Sequence, residues 1–164
     1  MIRVNRIITN PDFNFYLLKN ETAEDGRVFC SHPFEHLLAV GRLTYILLLE
    51  DGCPFISREM AYAAGLLHDI GRWRQYETGE DHAEISAELA APLLKSAGFS
   101  NSETTLILKA IKQHRLKAET AEHRSPLSRA LCRADAYARI CFRCSASLEC
   151  KALEGHPHMD CLEY

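Results

Sequence analysis

The chain has no apolar run near the roughly 18 residues that a membrane span requires. Its longest helix candidate carries His36, Arg42 and Glu50. Neither sign of charge dominates: 19 Lys and Arg face 22 Asp and Glu, for a formal net charge of -3. That balance excludes the global basic field that draws nucleic acid duplexes or an anionic membrane. The start, Met1-Ile2-Arg3-Val4-Asn5-Arg6, has no apolar signal core or small-residue cleavage site before Asn10-Pro11-Asp12, so a cytoplasmic location is expected. Internal repeats are absent, as is any alternation long enough for a sheet. No Ser or Cys stands convincingly beside a His–acid pair, so a covalent nucleophile is not expected.

What is present reads as one soluble globular domain of 164 residues, 47% hydrophobic and 25% charged. The class is all-α. Asn10-Pro11 reads as a cap and first-turn proline of a short helix with Phe13, Tyr16 and Leu17 on one face. Residues 20–27 read as a surface loop. Ser31 is the expected cap of a helix bearing Leu37, Val40, Leu43, Ile46 and Leu47, ended by Asp51-Gly52. Ser57 caps the next, which stops near Gly71. The polar, aromatic stretch 72–80 reads as a loop over the site. Asp81 and Glu84 resemble a capping box for a helix to about Ala97, broken in its regularity by Pro92. Further helices start at Ser100 and at Ser125-Pro126.

Potential ligands recur at the ends and on the inner faces of these helices. His36 lies one residue before Leu37. His68 and Asp69 close the apolar run Ala63-Ala64-Gly65-Leu66-Leu67, with Gly71 as the expected turn. His82 begins the fourth helix, His114 ends the fifth, and Asp135 follows Ala134 within the sixth. A lone histidine at a helix end is usually a partner of the helix dipole. Six such groups on core-facing stripes are hard to bury without a shared cation. Imidazole and carboxylate donors suit iron, manganese, cobalt, nickel or zinc better than a thiolate-selected metal.

The ordered set His36, His68-Asp69 and Asp135, in the contexts His36-Leu37-Leu38-Ala39-Val40, Gly65-Leu66-Leu67-His68-Asp69-Ile70-Gly71 and Arg133-Ala134-Asp135-Ala136, resembles the HD superfamily of metal-dependent phosphohydrolases over residues 30–140. His82 and His114 add the pair found in its two-metal subclass, most like small bacterial HD hydrolases of dinucleoside tetraphosphates. The resemblance implies one ion on His36, His68, Asp69 and Asp135. It implies a second on His82 and His114, with Asp69 bridging and catalytically central. A metal-bridged hydroxide would then cleave a phosphoester or phosphoanhydride of a nucleotide-type substrate. An HD-fold di-iron oxygenase uses the same six ligands, and a metal-stabilised regulatory domain is a third reading. Residues 1–140 are expected to form the HD domain and residues 141–164 a cysteine-rich tail.

A phosphorylated substrate needs cations beyond the ions. Arg72 is the leading candidate, where relatives often carry Lys, and its fork would hold phosphate at two points. Arg42 and Arg115 are weaker candidates; Arg115 departs from the Thr common in relatives. Trp73 and Tyr76 are candidates to stack on a base or to close the loop. His32 reads as a surface partner, and an oligomer is compatible with the composition.

Seven cysteines remain. Without an export signal they are not expected to form a disulfide framework. Cys30, Cys53 and Cys132 read as small buried hydrophobes. Cys141, Cys144, Cys150 and Cys161 form C-x2-C-x5-C-x10-C, read first as a structural zinc site and second as an iron–sulfur site. His156 or His158 could replace one thiol.

Overall fold

Capping residues set most of the helix starts in the computed structural model, which describes residues 1–115 and 124–150. Among the described residues, eight α-helices run in the order α1 (Ile2–Ile8), α2 (Pro11–Ala23), α3 (Phe34–Glu50), α4 (Arg58–Leu67), α5 (Arg72–Thr78), α6 (His82–Ala97), α7 (Asn101–Gln113) and α8 (Pro126–Tyr137). No strand occurs among the described residues. The Asn10 side chain accepts the Asp12 amide proton at 2.8 Å, with Pro11 in the first turn. Ser57, Asp81 and Ser125 cap α4, α6 and α8 in the same way.

Four local expectations are corrected. Ser31 caps nothing: Pro33 occupies the N-cap of α3, without a side-chain cap. A residue before proline is disfavoured in the helical region, and His32 lies outside the helix. The stretch 20–27 is not wholly a loop, because α2 continues to Ala23 and buries Asn20. The stretch 72–80 holds a helix, α5, closed by Gly79 in the left-handed region at φ 79°. None of its side chains is fully buried, so no apolar period marks it in the sequence. Glu84 completes no capping box; it pairs with Lys112 at 2.5 Å, and the reciprocal box belongs to Ser100 and Glu103.

The core centres on α4, which packs against α3, α7 and α8, while α3 also packs on α8. Val4 and Ile7 of α1 and Phe13 of α2 join the same core as Leu37, Leu66 and Ile107. Each such side chain, fully buried, contributes about 2 kcal/mol. Helices α3 and α4 cross backbone to backbone at Gly41 and Gly65: a Cβ on Gly65 would lie 2.3 Å from the Gly41 amide nitrogen. That close crossing brings the first turn of α3 beside the last turn of α4.

Candidate metal centre

The helix ends converge at one end of this core. His36 comes from the first turn of α3, His68 from the C-cap of α4, and Asp69 from the turn that follows. His82 opens α6, His114 caps the C-terminus of α7, and Asp135 stands on α8. Two groups of donor atoms result, each drawn together within 4.8 Å: His36, His68, Asp69 and Asp135; and Asp69, His82 and His114. The six residues expected from the sequence are therefore brought together, with Asp69 common to both groups.

Hydrogen bonds to the backbone aim the imidazoles. His68 Nδ1 meets the Gly65 carbonyl oxygen at 2.7 Å, and His114 Nδ1 meets that of Ile111 at 2.6 Å. Both turn Nε2 inward, the arrangement by which outer partners orient metal-binding histidines. His82 Nδ1 is held by the Gln75 side chain, so α5 contributes a support rather than a loose cover. Asp69 Oδ1 then lies 2.9 Å from His82 Nε2 and 3.6 Å from His114 Nε2. Its Oδ2 lies 3.3 Å from His68 Nε2. Asp135 Oδ1 is 3.2 Å from His36 Nε2 and 3.6 Å from His68 Nε2.

The donor set fits a metal on a structural test. His36 Nε2, His68 Nε2 and both Asp69 carboxylate oxygens are buried without a hydrogen-bond partner. Four orphaned polar atoms at one point cost several kcal/mol in total unless an ion engages them. Burial opposes ionisation of Asp69, yet His68, His114 and His82 hold its carboxyl well below the usual range. Burial likewise opposes charge on His68, but Asp69 and Asp135 raise it to about 10. Burial lowers His36 and His82.

The turn carrying the doublet is clamped from α2. Asn20, 1% exposed, donates from Nδ2 to the Asp69 carbonyl at 2.9 Å and accepts the Trp73 amide proton at 2.8 Å. Gly71 is needed here for closeness rather than for a left-handed backbone. Its φ is -99°, but a Cβ would lie 2.6 Å from Ile85 Cγ2 and 2.8 Å from the Ser86 amide nitrogen. The Gly71 amide donates to Ser86 Oγ at 3.0 Å, which locks the turn to α6.

Above the cluster opens a cavity of about 550 Å³. Arg72 and Arg115 line it as expected, joined by Arg27 and Arg139, while Arg42 is exposed and lies outside its lining. Arg72 Nη1 lies 3.2 Å from His82 Nε2 and 3.6 Å from Asp69 Oδ1. Arg139 Nη2 donates to Asp135 Oδ1 at 3.0 Å. The Tyr76 hydroxyl is committed, donating to Glu24 at 2.9 Å and accepting from Arg27 at 2.6 Å; Trp73 lies outside the cavity lining.

His32 corrects another expectation. It is 3% exposed, not at the surface, and lines the cavity. Its Nδ1 faces Glu24 Oε1 at 2.5 Å, and its Nε2 lies 3.7 Å from Asp69 Oδ2. Burial lowers it to about 4, against the pull of Glu24 and Asp69. Sequence reasoning also passed over Asn20, Glu24 and Arg139. The one available signal was a second His within the four residues preceding His36. Of the expected thiol set, Cys141 and Cys150 line the cavity, and Cys161, His156 and His158 lie outside the described residues.

Fold and site together define an all-helical domain built around a histidine–aspartate ligand cluster. The HD domain family model matches residues 34–140, and the chain belongs to that family. It is 32% identical over 150 residues to an uncharacterized protein of Clostridium beijerinckii, covering 92% of both chains. It is 40% identical over 68 residues to a bifunctional uridylyltransferase/uridylyl-removing enzyme of Erythrobacter litoralis, 42% of this chain but only 7% of that one. Among solved structures, a predicted HD superfamily hydrolase from an uncultured Thermotogales bacterium superimposes with a TM-score of 0.58. That match is 30% identical and covers 79% of this chain and 70% of the other. Family and site together support metal-dependent phosphohydrolase chemistry in general. No helix among the described residues is long and apolar enough to cross a membrane.

Proposed function

We propose that this protein hydrolyses a phosphoester or phosphoanhydride of a small nucleotide-like substrate at a two-ion centre. The observation that carries the reading is the pair of convergent ligand groups sharing Asp69. Bound divalent ions at such a pair supply Lewis acidity and a water that ionises near neutral pH. The protein's own residues divide the remaining work. Asp69 would serve both ions, with His36, His68 and Asp135 completing one ligand set and His82 and His114 the other.

Four arginines, Arg27, Arg72, Arg115 and Arg139, face one cavity whose floor is this centre. Such a wall favours a polyanionic substrate, and guanidinium forks match phosphate oxygens. Arg72, 3.2 Å from His82 Nε2 and 3.6 Å from Asp69 Oδ1, reaches the floor and orients the reacting phosphate. This concentration of positive charge also favours hydrolase over oxygenase chemistry on a neutral substrate.

The test is metal content per chain in protein purified without chelator, followed by phosphate release from a nucleotide panel with and without oxygen. The expected result is two ions at the histidine–aspartate centre, turnover indifferent to oxygen, and loss of turnover in Asp69→Asn. Turnover that requires oxygen, or none on any phosphorylated compound with both ions bound, overturns the proposal.

A further inference from the structure

The segment after α8 has little to hold it. Residues 141–150 form two single 3-10 turns, Cys141–Arg143 and Ser147–Glu149, packed on each other. Among the described side chains, the buried Cys141 and Ala146 stand outside the main hydrophobic core. So short a segment, built of two single turns, gains little from burial by apolar packing alone. Small units of this kind are usually held by a disulfide or a metal. All six cysteines among the described residues are free thiols.

The fold gathers four of those thiols. The first turn holds Cys141 and Cys144 together, with the Cys144 amide donating to the Cys141 carbonyl at 3.0 Å. The second turn delivers Cys150 to the wall already formed by Cys141. Cys30, from the segment between α2 and α3, lines that same wall. Burial raises the Cys141 thiol, and Cys30, Cys144 and Cys150 raise it further, against the opposing charge of Arg139. Arg139 lines the same wall as Cys30 and donates to Asp135 Oδ1 at 3.0 Å. The thiols stand as neighbours rather than as a closed set: the tight donor groups among the described residues are the two histidine–aspartate groups.

We infer that Cys30, Cys141, Cys144 and Cys150 bind a zinc-type divalent ion as a tetrathiolate site that fastens the C-terminal segment to the wall of the cavity. The fourth ligand is thus Cys30, more than a hundred residues upstream; Cys161 lies outside the described residues. Four thiolates around a divalent cation leave a net negative charge, and Arg139 and Arg27 stand on the same wall to offset it. The chemistry is closed and structural, since four protein ligands leave no open position. Through Arg139 the site also fixes one cation of the cavity beside Asp135.

The site is tested apart from hydrolysis. The full chain, reduced and stripped of metal, is titrated with cobalt, whose thiolate charge-transfer band a histidine–carboxylate set cannot produce. The expected result is one equivalent showing that band in the wild type, lost in Cys30→Ser and Cys141→Ser and kept in Cys53→Ser and Cys161→Ser. Labelling of the folded wild type with a thiol reagent supplies a readout free of mutation: zinc slows modification of Cys30, Cys141, Cys144 and Cys150 at least tenfold. Absence of the band, its loss in Cys161→Ser with retention in Cys30→Ser, or a Cys30 labelling rate indifferent to zinc overturns the assignment. Each of these results leaves the ions on Asp69 untouched, so failure here is distinct from failure of the hydrolase reading.

Discussion

Replacing Gly65 by alanine adds one methyl group, and the structure places it inside another helix's backbone. The new Cβ would lie 2.3 Å from the Gly41 nitrogen, 2.4 Å from Gly41 Cα and 3.0 Å from the Val40 carbonyl carbon. Ordinary contact begins at 3.4 Å, so α3 and α4 must separate by about 1 Å along the crossing. No rotamer change relieves it, because every atom met is backbone. Alanine gains about 1 kcal/mol of helix propensity over glycine, whereas overpacking costs about 1–3 kcal/mol, and more where backbone must shift. Loosened contacts of Leu37, Val40, Ala61 and Ala64 add to that cost. The net expectation is a loss of about 2–4 kcal/mol, or a Tm lower by roughly 5–15 °C. His36 and His68 ride on these two helices with ring centroids 5.8 Å apart, so metal affinity falls together with stability. Thermal unfolding followed by circular dichroism, with metal content measured on the same samples, checks both effects. Gly41→Ala is the matched control: its Cβ meets the Tyr62 backbone at 3.1 and 3.3 Å, needing only a few tenths of an ångström. It should cost about 1 kcal/mol or less. A Gly65→Ala protein with unchanged Tm and metal content would refute the close crossing as the device that builds the site.

Asn20→Ala removes one buried and one part-buried hydrogen bond and strands the Asp69 carbonyl and Trp73 amide; a loss of about 2–3 kcal/mol in urea unfolding is expected. His82→Ala should release one ion from the histidine–aspartate centre and retain the other, read by metal analysis per chain. Arg72→Ala is expected to raise KM for a phosphorylated substrate by at least tenfold while leaving the metal content unchanged. Arg3 binds Glu59 at 2.7 Å and Glu103 at 2.8 Å, tying α1 to α4 and α7. Both carboxyls are held below their ordinary values, with burial opposing and the Arg3 and backbone contacts prevailing. Their stabilisation is therefore full above the unfolded pKa of about 4.5 and is lost as pH falls through the lower folded values. The Tm difference between wild type and Arg3→Gln should accordingly be constant at neutral pH and vanish near pH 2, and a difference that grows in acid would count against the pairing.

The helical class is legible without a structure, because apolar spacing and cap residues such as Ser57, Ser100 and Ser125 are local signals. So are the six side chains to consider as ligands, since they recur at helix ends beside core positions. That these six meet at one point, with Asp69 common to two groups, emerges from helix crossings such as that of Gly41 and Gly65. Asn20, Glu24 and His32 looked like loop chemistry, and α5 looked like a loop, because their partners lie far along the chain or across the site. Cys30 shows the limit most directly. Spacing grouped Cys141, Cys144 and Cys150 with the next cysteine downstream, whereas folding sets beside them a thiol more than a hundred residues earlier, and separation along a chain carries no information about that distance in space.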